Sequence, residues 1–260
     1  MAGRDAAGIF DSGDIGDIDK RGKRGRPRGM ATQTVYEALR DEILTLVAKP
    51  GQYLDESQLE KRFGVSRTPI REALIRLQSD RLVRFSANRG HFVEVVNIDD
   101  VPAIFEAMDL YQAAVFRLTA SRHSPELLEE LTRINESYYE AASARDHKTM
   151  TEMNHQFHMV IGRESGNTFL AEAYETVLNY SIRLTYLMFE KASHEPHHYE
   201  EYYTRVYNEH KEMIELIRTA QKDRLEEISK LHTRLFCDRV ISFVSSREEF
   251  RSEPQNFFGK

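Results

Sequence analysis

The sequence predicts a mainly α protein: three helices and a β-hairpin toward the N-terminus, followed by an all-α bundle of six helices. Three observations predict it. Residues 31–96 hold three short apolar-periodic segments punctuated by Pro50-Gly51 and Gly64, and end in two alternating runs. Residues 98–250 repeat the helical period in six segments and show no strand signal. Charge divides along the same line: residues 20–89 hold 16 Lys and Arg against 8 Asp and Glu, whereas residues 90–260 hold 19 against 29. A basic block joined to an acidic one predicts that only the first meets a polyanion. The whole-chain net charge of −6 conceals this.

Residues 1–30 are rich in Gly, Asp and Arg and poor in large apolar side chains, and read as a disordered basic tail. Within it, Arg24-Gly25-Arg26-Pro27 resembles the core of an AT-hook, whose arginines lie in a narrow minor groove. The plainer reading, a solvated charge run that adds non-specific phosphate attraction, is the one favoured.

Thr34 is placed to cap a first helix over 35–47, with Val35, Leu39, Ile43 and Leu46 on one face. A second helix is expected over 56–63, with Leu59 and Phe63 inward and Gly64 as the turn. Ser66 then caps a third helix to Ser79, which tolerates Pro69 in its first turn and points Ile70, Leu74 and Leu77 inward. Residues 82–85 and 91–95 alternate like strands, joined by Ser86-Ala87-Asn88-Arg89-Gly90. Three helices and a hairpin in this order describe a winged helix-turn-helix. The six later helices are expected at 99–121, 125–144, 147–165, 168–193, 199–219 and 224–245, separated at Ser124-Pro125, Gly166-Asn167, His194 to Pro196 and Gln221 to Asp223. The division is therefore a tail over 1–30, a head over 31–96 and a helical domain over 98–250.

In Gly64 to Leu74, Arg67 and Arg71 stand four apart and share a helical face, with Thr68 beside them. The start of a recognition helix is where side chains reach base edges in the major groove, and arginine's fork fits the two acceptors of guanine. The hydroxyls of Ser66 and Thr68 suit phosphates. Arg89-Gly90 at the wing tip can approach the minor groove.

Ten histidines invite a search for a metal site. His194, His197 and His198 fall in a polar break and read as solvated, while His123 and His147 lie near helix ends. His158, His210 and His232 each lie on an apolar face of a different helix. Together they are a candidate site for a first-row divalent ion, zinc being expected and nickel or manganese the alternatives. Asn154, one turn before His158 on the same face, can add a carbonyl oxygen, whereas His155 points about 100° away.

The run from Val35 through GVSRTPIREALIRLQSDRLVRFSANRGHFVEV resembles the DNA-binding domain of the GntR family of bacterial transcription regulators over about 60 residues. That resemblance implies operator contacts by Arg67, Thr68, Arg71, Arg89 and Gly90, and matches Arg40 to an arginine common in the first helix. Ser57 stands where some members carry a DNA-contacting arginine. The helical half, through DDVPAIFEAMDLYQAAVFRLTA, NHQFHMVIGRESGNTFL and NEHKEMIELIRTAQKDRLEEISKLHTRL, is similar to the sensor domain of the FadR subgroup, in its six-helix VanR-like branch. The resemblance implies metal ligation by Asn154, His158, His210 and His232, with Asn154 where many members have Asp. A neutral donor set leaves the ion its full charge and favours an effector that carries a carboxylate. Met108 stands where many relatives have a carboxylate-binding arginine, and Gln112 where a glutamate is usual. Tyr111, Tyr186, Met188 and Tyr207 are candidates to line a larger, more aromatic cavity.

The expected function is a ligand-responsive transcription repressor that binds a palindromic double-stranded operator as a homodimer. A zinc-dependent hydrolase is a weaker alternative, since no H-E-x-x-H occurs and no carboxylate is evident as a base on the inward faces. An architectural DNA-binding protein without a sensed ligand is the other. One cysteine, Cys237, excludes a disulfide framework and a Cys-based zinc finger. The acidic first residues lack an apolar signal core, and no run approaches about 18 apolar residues, so a cytoplasmic, nucleoid-associated location without membrane contact is expected.

Overall fold

The computed structural model describes residues 28–191 and 199–245. The expected tail falls outside these residues except for its last three positions, and so does the polar break that holds His194, His197 and His198.

Helix α1 (Arg28–Leu44) starts before the expected cap. Thr34 does not cap it: its hydroxyl donates to Met30 O at 2.9 Å, a bond inside the helix. The helix also ends before Val47, where Leu46 turns into left-handed backbone with φ of 59° and the Ala48 N–H reaches back to Glu42 O. Helix α2 (Glu56–Phe63) is capped by Asp55, which accepts from the Ser57 and Gln58 N–H groups, and stops at Gly64 with φ of 62°. Helix α3 (Arg67–Ser79) follows Ser66, whose backbone is extended as a cap requires but whose hydroxyl makes no capping bond.

Strands β2 (Val83–Ser86) and β3 (Gly90–Val93) form the wing, with Ser86 opposite Gly90. The three-residue turn closes through Arg89 N–H to Ser86 O and places Asn88 at φ of 63°. Gly90 is required twice over: its φ is 90°, and a Cβ there would lie 3.0 Å from the Tyr53 ring. Tyr53 belongs to a strand that the sequence did not announce, β1 (Tyr53–Leu54), which pairs antiparallel with β3. Two residues carry no alternation, so only the partner strand reveals it.

A 3₁₀ turn (Ile98–Asp100) leads into the bundle: α4 (Val101–Arg122), α5 (Pro125–Ser143), α6 (His147–Glu164), α7 (Thr168–Lys191), α8 (Tyr199–Arg218) and α9 (Lys222–Ser245). Ser124 and Asp146 cap α5 and α6 through bonds from Leu127 and Thr149 N–H, as their positions predict. None of the described helices is long and apolar enough to cross a membrane.

Two main cores result. The head packs Val35, Leu39, Ile43, Ile70, Leu74, Leu77 and Val93 together, and Ile182 of α7 enters from the bundle. The bundle packs around Phe116, Leu131, Phe157, Ile161, Met213 and Ile217. Leu74 is fully enclosed, so Leu74→Ala is expected to cost about 2–5 kcal/mol in a denaturant titration.

Helix α7 also carries the polar join between head and bundle. Arg40 of α1 donates to Glu175 Oε1 and Asn179 Oδ1, both at 3.0 Å. Arg183, almost wholly buried, donates to the Glu94 carbonyl beyond the wing. Its Nε has no hydrogen-bond partner among the described residues, and burial lowers its pKa to about 10.

Candidate functional site

The outer face of α3 begins with Ser66, Arg67, Thr68 and Arg71, all exposed. Both arginines rest on α2: Arg67 Nε is 2.7 Å from Glu60 Oε1, and Arg71 Nε is 2.8 Å from Glu56 Oε2. Glu56 also lies 3.8 Å from His91 of β3. It thereby links helix α2, helix α3 and the wing. Ion pairs this exposed are worth about 0–1 kcal/mol, so exchanging them for phosphates or base edges costs little. Arg84 and Arg89 both lie over the Phe92 ring, at 5.0 and 5.8 Å, and give the wing a basic surface. Arg40 lies apart from this group, in the join to α7. Ser57 Oγ stands 3.5 Å from Arg67.

The three apolar-face histidines meet inside the bundle. His158 of α6, His210 of α8 and His232 of α9 are buried, and one ring nitrogen from each lies within 4.8 Å of the other two. The Nδ1 atoms are tied off separately. His210 Nδ1 is 3.0 Å from Asn135 Oδ1, an amide oriented by its own N–H bond to Tyr207 O. His232 Nδ1 is 2.9 Å from Glu209 Oε2. His158 Nδ1 is 3.2 Å from the Tyr174 hydroxyl, which donates at 2.7 Å to Gln112 Oε1 and so accepts from the ring. Gln112 is fixed in turn by N–H bonds to Ser229 O and Thr233 Oγ1.

With Nδ1–H donating, the Nε2 atoms of the His158 and His210 rings carry bare lone pairs. His158 Nε2 and His232 Nε2 are 3.2 Å apart, and His210 Nε2 has no hydrogen-bond partner among the described residues. Burial, with the neighbouring imidazoles second, pushes the His158 and His210 pKa values well below 6.5 and keeps both rings neutral. Imidazole lone pairs that converge without a shared proton repel one another, and a cation at their meeting point removes that conflict. Two nitrogens about 2.1 Å from a tetrahedral ion stand about 3.4 Å apart, close to the observed spacing. The residues therefore fit a divalent metal, and the oriented Nδ1 partners are the outer ring of bonds that such ligands use.

Glu209 and His210 are adjacent in sequence, yet the carboxylate serves the ring of His232. Burial pushes the Glu209 carboxyl up, but bonds to His232 and Arg205 outweigh it and hold the group below its ordinary value. The sequence showed no inward carboxylate; the structure supplies this one, engaged in orienting an imidazole.

Beside the histidines a pocket encloses about 630 Å³ counting its open mouth. His158, His232, Asn154, Met108 and Gln112 lie on its wall, joined by Tyr138, Tyr202, Tyr203 and Arg239. Leu178, Ser181, Thr185 and Met188 of α7 form one side. Of the six side chains expected to surround an effector, Met108, Gln112 and Met188 are there. Tyr111 packs against the bundle core. Tyr186 packs against the head. Tyr207 stacks on Tyr139 at 4.5 Å and donates to Glu136. His155, set aside on helical phase, is not one of the three converging histidines; its Nε2 is buried with no hydrogen-bond partner among the described residues, and burial, with Arg40 nearby, pushes it down to about 3.

A head with a wing and an outward basic helix, joined to a helical bundle with an interior pocket, defines a DNA-binding regulator class. Residues 31–93 match the model of the bacterial regulatory proteins of the gntR family, and residues 103–235 match the FCD domain. The chain belongs to the GntR family of transcriptional regulators, with an FCD domain as its second part, and this is a family of regulators rather than enzymes. It is 25% identical over 215 residues to the HTH-type transcriptional regulator YdhC of Bacillus subtilis (strain 168), covering 82% of this chain and 92% of that one. It is 25% identical to the HTH-type transcriptional repressor RspR of Escherichia coli (strain K12), over 64% of this chain and 73% of that one. Among solved structures, E. coli McbR/YncC superposes with a TM-score of 0.69 at 19% identity, covering 83% of this chain and 98% of that one. At that identity the likeness is one of fold.

Proposed function

We propose that the protein is a repressor that acts as a homodimer, releasing or gripping a two-fold-symmetric operator according to a small anionic effector bound at a metal centre. The observation that carries this reading is the set of three interior imidazoles with every Nδ1 tied off and one nitrogen of each ring within 4.8 Å of the other two. Such a set is organised to hold an ion at the wall of a pocket, and the pocket is built partly on the helix that holds the DNA-binding head.

In this reading His158, His210 and His232 bind a divalent ion, with Asn154 adding its amide oxygen. Zinc suits three imidazoles and an oxygen, and nickel or manganese are the alternatives. The ion supplies a positive charge that draws an effector carboxylate into the remaining positions. Arg67 and Arg71 leave Glu60 and Glu56 to read base edges, Ser66 and Thr68 bind phosphates, and Arg89 and Gly90 approach the minor groove. Arg40 reaches a phosphate only by leaving Glu175 and Asn179, so the join to α7 and an operator contact compete for one guanidinium. Repression is supported by relatives named as repressors, RspR and the gluconate operon repressor of Bacillus licheniformis.

The test is a footprint on the DNA flanking the protein's own gene, with metal-loaded and chelated protein. A protected two-fold-symmetric site whose affinity changes on chelation is expected. Absence of any protected sequence in both forms would refute the proposal.

A further inference from the structure

Arg239 lines the same pocket as His158 and His232. It lies on α9 seven residues after His232, two helical turns on and nearly in phase, so its Cα is about 10.5 Å farther along the same face. Its guanidinium is packed among aromatic rings, with Cζ 4.4 Å from the centre of Tyr202, 5.1 Å from Tyr203 and 5.5 Å from Phe189. Its NH1 donates to the Tyr203 hydroxyl at 2.6 Å. Elsewhere in the bundle Arg117, Arg205, Arg218 and Arg224 each meet a carboxylate, at 2.6, 2.8, 2.5 and 2.9 Å. Arg239 meets none among the described residues, although it is more enclosed than these and opens onto the pocket.

A guanidinium offers five N–H donors in a planar fork, and the tyrosine hydroxyls satisfy only part of it. A largely enclosed cation that meets no carboxylate among the described residues gains from an anion that completes it. The aromatic faces steady the cation but supply no acceptor for its remaining N–H groups. Met108, an apolar side chain, is on the same wall and offers no charge of its own.

We propose that Arg239 is the second anchor of the effector. The ligand is then a small organic anion with two oxygen-bearing ends: one enters the coordination sphere beside His158 and His232, and a carboxylate at the other end forms a two-bonded pair with Arg239. A short dicarboxylate has that form. This rests on the effector-pocket reading above and adds the class of ligand.

The test uses zinc-loaded full-length protein, with succinate, glutarate, adipate and butyrate as probes in titration calorimetry. Metal content and melting temperature are recorded for every variant. At least one dicarboxylate is expected to bind the wild type ten-fold or more tightly than butyrate. Arg239→Gln should bring that dicarboxylate to the butyrate level with the bound zinc unchanged, and Arg239→Lys should recover part of the loss. An Arg239→Gln protein that keeps the dicarboxylate preference overturns the second anchor, and so does a wild type that binds butyrate as tightly as every dicarboxylate. Should zinc-loaded wild type bind neither class, the carboxylate-effector reading falls as well. An unfolded Arg239→Gln protein is recognised by its melting curve, and the Lys variant then carries the decision: loss of the preference in folded, zinc-loaded Arg239→Lys supports a forked contact, and undiminished preference opposes it.

Discussion

Arg71→Ala is expected to weaken operator binding by about 1–3 kcal/mol per half-site, roughly 5- to 150-fold, while leaving the melting temperature almost unchanged. The two halves of this expectation come from different sides of one residue. The Arg71 side chain is 57% exposed and its partner is Glu56 on the neighbouring helix, so its removal opens no cavity in the head. Such surface changes usually stay within about 0.5 kcal/mol. Toward DNA, the same exposure frees the guanidinium fork to meet two acceptors of one guanine. Arg67→Ala should behave alike, and both should be read by fluorescence anisotropy on the footprinted site and on scrambled DNA. A base-reading arginine loses discrimination between the two sequences; a phosphate-binding one weakens both equally and lowers the salt slope. Unchanged affinity for either variant removes that residue from the interface.

His210→Ala should abolish the response of the protein to metal. Wild-type protein stripped with a chelator is expected to regain stability when zinc is added, by about 2.7 kcal/mol at a hundred-fold excess over its Kd. For a chain of this size that is a rise of several degrees in melting temperature. In His210→Ala, one of three donors is gone, and the same addition should shift the curve little, with bound metal by elemental analysis well below the wild-type content. The substitution also removes a fully enclosed ring stacked at 4.0 Å on Phe157, so a lower starting stability is expected and carries no information. The decisive quantity is the metal-induced shift. A wild type that shows no shift with zinc, nickel or manganese would end the metal reading.

The fold was legible where residues with fixed backbone habits mark the ends of elements. Gly64, Ser66, Pro69 and the Asn88–Gly90 turn bound α3 and the wing closely. Thr34 misled because a threonine hydroxyl serves equally well inside a helix, bonded four residues back, as it does in α1. The three histidines could be found because each sits on the apolar stripe of its own helix, a local property. Their partners could not. Asn135, Tyr174 and Glu209 sit on other stripes or other helices and acquire meaning only when helices pack; Glu209 bonds a ring 23 residues away rather than that of its neighbour. Tyr186 and Tyr207 were placed in the pocket on aromatic character alone, and tyrosine is equally at home against a core or at a surface. Arg239 escaped notice because nothing in its sequence context distinguishes it from the solvated arginines of an amphipathic helix.

Helix α7 bears two stripes about 110° apart. Leu178, Ser181, Thr185 and Met188 touch the cavity; Glu175, Asn179, Ile182 and Tyr186 touch the head. No position serves both. Substitutions on one stripe leave the other's contacts in place, so under the proposed reading the taste for a ligand and the hold on the head can drift independently in descendants of this chain.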